Sequence, residues 1–242
     1  MTGLDRKRAD NWSRRAAFGR GTLVALRVPG AVLCATSMGY GALARDSGFE
    51  FAQTLLITAA FYALPAQVIF VDQMTRGADV LIAAFAVTLT AVRLLPMTVS
   101  MMPYLRDPQS PRWFTFLVVH FVAVTAWIEG QRTLPSLPPH LRIAHYAGIG
   151  IGMLVATLSG SAIGFTLSAA VPALLAATLL FMTPLYFMLS LFGAAAAHSD
   201  YLAIGLGFVL GPLFFVLFPG LDLLLTGLVG GTIAFLLWRR DR

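Results

Sequence analysis

The sequence predicts an all-α polytopic membrane protein: a single bundle of about eight (seven to eight) transmembrane helices, some of them broken by proline. Three observations predict it. Of the 242 residues, 58% are hydrophobic and only 12% charged, with a mean hydropathy of +0.79. A soluble domain carries about 25% charged residues, so this chain lacks the polar side chains to cover a water-facing surface. Apolar runs of about twenty residues, the length that crosses a bilayer, recur between short polar links rich in proline and glycine. The net charge of +6 gathers at the two ends, where it flanks apolar runs. Nucleic-acid binding would instead place it on a folded soluble face. Alternation at barrel spacing is absent, so helices are expected rather than strands.

Residues 1–21 read as a basic cytoplasmic tail, with Arg6, Lys7, Arg8, Arg14, Arg15 and Arg20 against Asp5 and Asp10. Trp12 and Phe18 could rest with these arginines in the headgroup layer. Residues 22–242 read as one transmembrane domain, with helices near 23–44, 51–71, 80–105, 113–130, 143–164, 167–192, 201–218 and 221–238. The first keeps Arg27 near its cytoplasmic end and Cys34 among small residues. As the one cysteine of the chain, Cys34 can form neither an intramolecular disulfide nor a metal site. The link 131–142 holds three prolines and reads as a loop dividing the chain in two, with no detectable internal repeat. The fifth span carries Gly148, Gly150, Gly152, Gly160 and Gly164, residues that let helices approach closely in lipid. Eight crossings put the basic N-terminus and Arg239, Arg240 and Arg242 on the same, cytoplasmic side. They also put Arg106 and Arg112 outside, against the positive-inside rule.

Catalytic constellations are missing. The chain has no P-loop, HExxH, GxSxG, cysteine pair or carboxylate cluster, so no metal, cofactor or enzymatic chemistry is expected. His120 and His145 read as hydrogen-bonded packing residues, and Glu129 as an interfacial carboxylate with Arg132 one turn on.

Arg93 stands apart. It lies 13 residues into the third span, and a central arginine costs about 2.5–3.5 kcal/mol on insertion scales. Such residues face a cavity or the bundle interior. Thr90, Arg93, Met97, Ser100 and Tyr104 recur at helical spacing and share one face of a continuous helix. Pro96 cannot donate to the carbonyl of residue 92, and Pro65 frees that of Phe61 close to Gln67. Broken helices with exposed backbone polar groups are what solute sites in transporters use. The other reading of Arg93 is a brace that holds two helices through their carbonyls.

The same residues carry a family resemblance. The stretch GYGALARDSGFEFAQTLLITAAFYALPAQVIFV at 39–71, with Ala66 and Gln67, and the stretch AVRLLPMTVSMMPYLR at 91–106 resemble motifs of the AzlC-type large subunit of branched-chain amino acid exporters. Arg93, Ser100, Pro103, Tyr104 and Arg106 match in register, and the likeness runs from about Arg20 to the end. Ala91, Leu94 and Met97 depart from the family's polar residues, as do Ala126 and Trp127 where it has carboxylates. The resemblance implies a secondary transporter in the cytoplasmic (inner) membrane of a bacterium. It would export Val, Leu, Ile or a similar small apolar amino acid, partnered by a small AzlD-type subunit, with membrane lipid around it. On that reading Arg93, Gln67, Thr90 and Ser100 bind substrate, Arg93 holding its carboxylate, while Pro65, Pro96, Tyr104 and Glu129 shape the pathway. The alternative is a non-transporting membrane scaffold that has lost the family's polar residues.

Overall fold

The computed structural model describes residues 12–92, 94–107, 110–168, 174–175, 178, 181, 185, 188–189, 192, 198–217 and 225–240. Among them every regular element is helical. In chain order the α-helices are α1 Arg14–Leu26, α2 Val28–Asp46, α3 Phe51–Ala60, α4 Leu64–Thr75, α5 Val80–Ala91, α6 Leu94–Leu105, α7 Arg112–Val119, α8 Val124–Thr133, α9 Pro139–Leu167, α10 His198–Leu217 and α11 Gly231–Arg240, with a 3-10 turn at Leu134–Ser136 and a π-helical turn at Thr226–Gly230. Two of them, α9 and residues 200–217 of α10, are long and apolar enough to cross a membrane singly. The pair α1 and α2, bent by 55°, is a third candidate. Pro29, in the first turn of α2, cannot continue the hydrogen-bond ladder of α1, which accounts for the bend. The sixth expected span, 167–192, lies mostly outside the described residues.

α9 is the axis of the fold. Its 29 residues extend about 43 Å at 1.5 Å per residue, more than a hydrocarbon core of about 30 Å. α1 and α2 run parallel to it along a seam of small residues. On α9, Gly148, Gly152, Ala156, Gly160 and Gly164 recur every fourth position. A Cβ on Gly148 would fall on the Phe18 carbonyl, one on Gly160 on the Cys34 carbonyl, and one on Gly164 on the Met38 carbonyl. Ala17, Gly21 and Ala25 supply the matching stripe of α1 and are buried. The basic tail is therefore shorter than expected: residues 14–21 belong to a packed helix whose arginines are exposed. Without Cβ atoms the backbones approach to van der Waals contact, which is how helices associate where lipid removes the hydrophobic drive. Gly164→Ala is accordingly expected to destabilise the protein by about 1–3 kcal/mol. Gly205→Ala on α10, where a Cβ meets open space, should be neutral or stabilising by up to about 1 kcal/mol. Thermal unfolding in detergent measures both.

The second and fourth expected spans, 51–71 and 113–130, do not cross; each is a helical hairpin. After Phe61–Ala63, α4 folds back along α3. Phe70 comes within 6.4 Å, ring to ring, of Phe49 at the start of the hairpin, and Met74 and Thr75 line a groove with Ser47, Gly48 and Phe49. After His120–Ala123, α8 likewise returns toward the end from which α7 set out. Trp127 donates to Ser100 Oγ at 2.8 Å and Gly130 sits against Met101 and Tyr146, so α8 runs beside α6 and opposite to α9. The arms hold 8 to 12 residues each, about 12–18 Å, roughly half of a bilayer core.

The hairpins enter from opposite ends. That of α3 and α4 starts where α2 and α9 finish, tied there by Arg45, whose Nη1 donates to the Phe165 and Thr166 carbonyls at 2.9 and 3.3 Å. That of α7 and α8 starts where α1 and α9 begin. Between them α5 and α6 run from the first end to the second, and Tyr104 lies under Arg142 at the start of α9 (5.6 Å). Hairpin then through-running segment thus occurs twice, in opposite directions, as α3–α6 and α7–α9. This is an inverted-topology arrangement that the sequence does not betray.

This path puts Arg106 and Arg112 at the same end as the N-terminus, where Arg14 pairs with Asp107 at 2.8 Å. Among the described residues up to 168, that end holds Arg14, Arg15, Arg20, Arg106, Arg112, Arg132 and Arg142 against Asp107 and Glu129. The opposite end holds Arg45 and Arg76 against Asp46, Glu50, Asp72 and Asp79.

Candidate functional site

The two hairpin tips meet at the middle of α9. His120 Nε2 donates to the Ala59 carbonyl at 3.1 Å. Tyr62 packs edge-on against Phe121, centroids 5.3 Å apart, and its hydroxyl donates to the Gly150 carbonyl at 3.0 Å. Gly150 has no side chain because the Phe121 ring occupies the place of its Cβ. Behind this contact lies a cavity of about 50 Å³. Its walls come from α2 (Leu33, Thr36, Ser37), α3 (Thr58), the first tip and α4 (Tyr62–Pro65, Gln67), α6 (Leu94), α8 (Ala123–Ala126) and α9 (Met153, Thr157). No charged side chain is among these lining residues.

What the cavity has instead is backbone polarity. Two helices begin at it, and each begins on an alanine: Ala63 before α4 and Ala123 before α8. Neither receives a side-chain cap. α2, α7 and α9 also begin without a side-chain cap, whereas α1, α3 and α5 are capped in the ordinary way. Ser13 Oγ accepts from Ala16 N–H (3.2 Å), Glu50 and Gln53 form a capping box, and Asp79 Oδ1 accepts from Leu81 N–H (2.8 Å). In α8 the first intrahelical bond runs from Trp127 N–H to the Ala123 carbonyl at 2.7 Å. The N–H groups of Val124, Thr125 and Ala126 precede it and lie outside the helix's own ladder. An uncapped helix N-terminus carries roughly half a positive charge and suits an anionic oxygen.

Gln67 completes the polar side. It is 3% exposed, and its Nε2 donates to the Phe61 carbonyl at 2.7 Å, the group that Pro65 cannot bond. A carbonyl only accepts, so this contact fixes which end of the amide faces it. The other end, Oε1, is buried and has no hydrogen-bond partner.

The remaining expected site residues are dispersed. Arg93 lies outside the described residues; its neighbour in sequence, Leu94, lines the cavity. The continuous helix expected over 80–105 stops at Val92, so Thr90 and Ser100 fall on different helices, and neither lines the cavity. Thr90 Oγ1 donates to the Ala86 carbonyl at 3.0 Å, while Ser100 Oγ donates to Met97 and accepts from Trp127. Pro96 does not leave the Val92 carbonyl free, since Leu95 N–H donates to it at 3.0 Å. It sits in the first turn of α6, where a missing donor costs nothing. Tyr104 is half-buried under Arg142. Glu129, toward the arginine-rich end, is buried; its Oε1 is 3.5 Å from Nη1 of Arg132, the counter-ion expected one turn on, and its Oε2 has no partner. Thr125 and Ala126 lie one turn before it on the same face of α8 and line the cavity.

Apolar helices, opposed hairpins and a small cavity with converging helix ends are the architecture of an α-helical membrane protein and fit the transport class. The comparison with family models gives the family. The model described as AzlC protein matches residues 30–171, more than half of the chain and every residue that lines the cavity, and the chain belongs to that family. It is a family of membrane transport rather than of enzymes. No curated protein and no solved structure matches the chain.

Proposed function

We propose that the protein is a secondary exporter of small apolar amino acids, branched-chain or closely similar, in the cytoplasmic membrane of a bacterium. The observation that carries this reading is the cavity at mid-height where two uncapped half-helices begin. Transporters of small solutes use such discontinuous helices to meet a carboxylate. Arg93, next in sequence to a lining residue, supplies the full positive charge for that carboxylate. Leu33, Leu64, Leu94 and Met153 give an apolar wall for the aliphatic side chain. At about 50 Å³ the cavity has room for a few water-sized groups, which suits the closed state of a site that opens toward one end at a time.

The arginine-rich end faces the cytoplasm on this reading. With the three later spans as the sequence has them, the chain crosses six times and both termini are cytoplasmic. A small AzlD-type subunit completes the exporter against the exposed apolar faces.

Efflux of labelled leucine from loaded proteoliposomes tests the proposal. Arg93→Ala is expected to lower it by about ten- to a hundredfold, the worth of a charge-assisted hydrogen bond; unchanged efflux removes Arg93 from the mechanism. The small cavity volume favours one second reading, a non-transporting scaffold. Absence of any amino acid efflux with the partner subunit present would select it.

A further inference from the structure

We infer that Gln67 is the residue by which the site recognises the amino group of its substrate, with the carboxylate of the same molecule seated on the first N–H groups of α8. The inference rests on the exporter reading and adds what that reading leaves open: why an α-amino acid should be taken in preference to a plain carboxylate.

The reasoning starts from an imbalance. Gln67 is held by one end only, Nε2 to the Phe61 carbonyl at 2.7 Å. Its Oε1 is buried at the wall of the cavity with nothing to accept. A buried acceptor left unpaired costs about 1–3 kcal/mol, and no protein group meets this one, so a ligand that brings a donor gains there. The missing partner must be a donor, because Oε1 can only accept. Across the cavity the imbalance has the opposite sign. The N–H groups of Val124, Thr125 and Ala126 are donors without an intrahelical acceptor, and Ala123 offers no side chain to cap them. One wall therefore asks for a donor and the other for an acceptor, and none of the described lining side chains is charged.

A zwitterionic amino acid carries both groups on one carbon atom. A cavity of about 50 Å³ suits its ammonium and carboxylate rather than its side chain, which must go toward Leu33, Leu64 and Met153 when the site opens. Glu129, one turn below Thr125, is too far along α8 to cap the same N–H groups and leaves them to the ligand. A 2-oxo acid fills the α8 side and leaves Gln67 Oε1 unpaired, so it is rejected. The hairpin break thus does two things with one side chain: Nε2 closes the tip and Oε1 reads the ligand.

Competition against bound labelled L-leucine on the purified protein in nanodiscs tests this. The competitors are unlabelled L-leucine and 4-methyl-2-oxopentanoate, the same skeleton without the ammonium. Wild-type protein is expected to prefer leucine by about ten- to a hundredfold, the range for a hydrogen bond to a charged group. In Gln67→Leu the preference should vanish, leucine weakening to the level of the oxo acid while the oxo acid changes less than about threefold.

Gln67→Leu also removes the bond to Phe61, so Gln67→Lys is the second variant. Its ammonium still donates to the Phe61 carbonyl but offers no acceptor and repels the ligand's ammonium, and the preference should invert in favour of the oxo acid. Discrimination preserved in either variant, or equal loss of both ligands in both, overturns the inference and leaves the exporter reading intact. Wild-type protein that binds neither compound overturns both.

Discussion

Cysteines introduced at Arg15 and at Pro111 are expected to react with a membrane-impermeant maleimide from one side of the membrane, and a cysteine at Thr75 only from the other. All three positions are exposed, and the experiment uses a Cys34→Ala background to remove the one native thiol. The effect is all or none, because the two possible paths of the chain exchange the positions of both links. If 51–71 and 113–130 cross, Thr75 shares a side with the N-terminus and Pro111 faces away. If they are hairpins, Pro111 shares that side and Thr75 faces away. Two contacts decide for hairpins. Phe49 and Phe70 are 6.4 Å apart, ring to ring, whereas a straight helix would separate residues 21 positions apart by about 30 Å. The ion pair of 2.8 Å between Arg14 and Asp107 cannot bridge a hydrocarbon core of that thickness. Labelling of Thr75 together with Arg15 would overturn the hairpin topology and the opposed repeats that depend on it.

The composition of the chain speaks plainly about helices and membrane and says little about the path. A length ruler counts apolar residues, and a hairpin of two half-length arms has as many of them as one crossing helix. The first tip announces itself: Pro65 cannot continue α3, and the sequence alone places the Phe61 carbonyl near Gln67, where it is found. The second tip has no such mark. His120, Phe121, Val122 and Ala123 contain neither proline nor glycine, and the chain turns there because Gly150 makes room for Phe121 and because Tyr62 and Ala59 offer partners from the other hairpin. Those are tertiary reasons, which no local pattern contains.

One signal was nevertheless available. The segment 113–130 has arginines beyond both ends, Arg112 and Arg132, and a crossing helix that obeys the positive-inside rule does not. Arg106 and Arg112, which contradict eight crossings, are accounted for once the segment turns back. The pairing of Thr90 with Ser100 failed for a related reason: helical spacing relates residues only while the helix continues, and this one stops at Val92.

The alanine at the start of α8 makes a prediction whose two halves have opposite signs. Ala123 has the extended backbone of a helix N-cap, φ −130° and ψ 167°, so serine fits there without strain. Its hydroxyl would accept from the N–H of Thr125 or Ala126, as Ser13 does for α1. Alanine is among the poorest N-cap residues, and replacing it by serine gains about 0.5–2 kcal/mol. Ala123→Ser is therefore expected to raise the thermal midpoint in detergent by a few degrees. The same hydroxyl takes donors that, on the exporter reading, belong to the substrate carboxylate, and it stands in the wall of a cavity of about 50 Å³. Leucine efflux should fall by at least about tenfold, the worth of one charge-assisted hydrogen bond. A packing role for Ala123 predicts the contrary, a loss of stability together with any loss of transport, since an oversized side chain strains what surrounds it. A gain in stability with unchanged efflux would show that the N-terminus of α8 is structural and that the carboxylate sits elsewhere. Stability gained and transport lost in one substitution is the signature of donors left uncapped for a ligand, because a site that must bind and release keeps its polar groups unsatisfied between cycles.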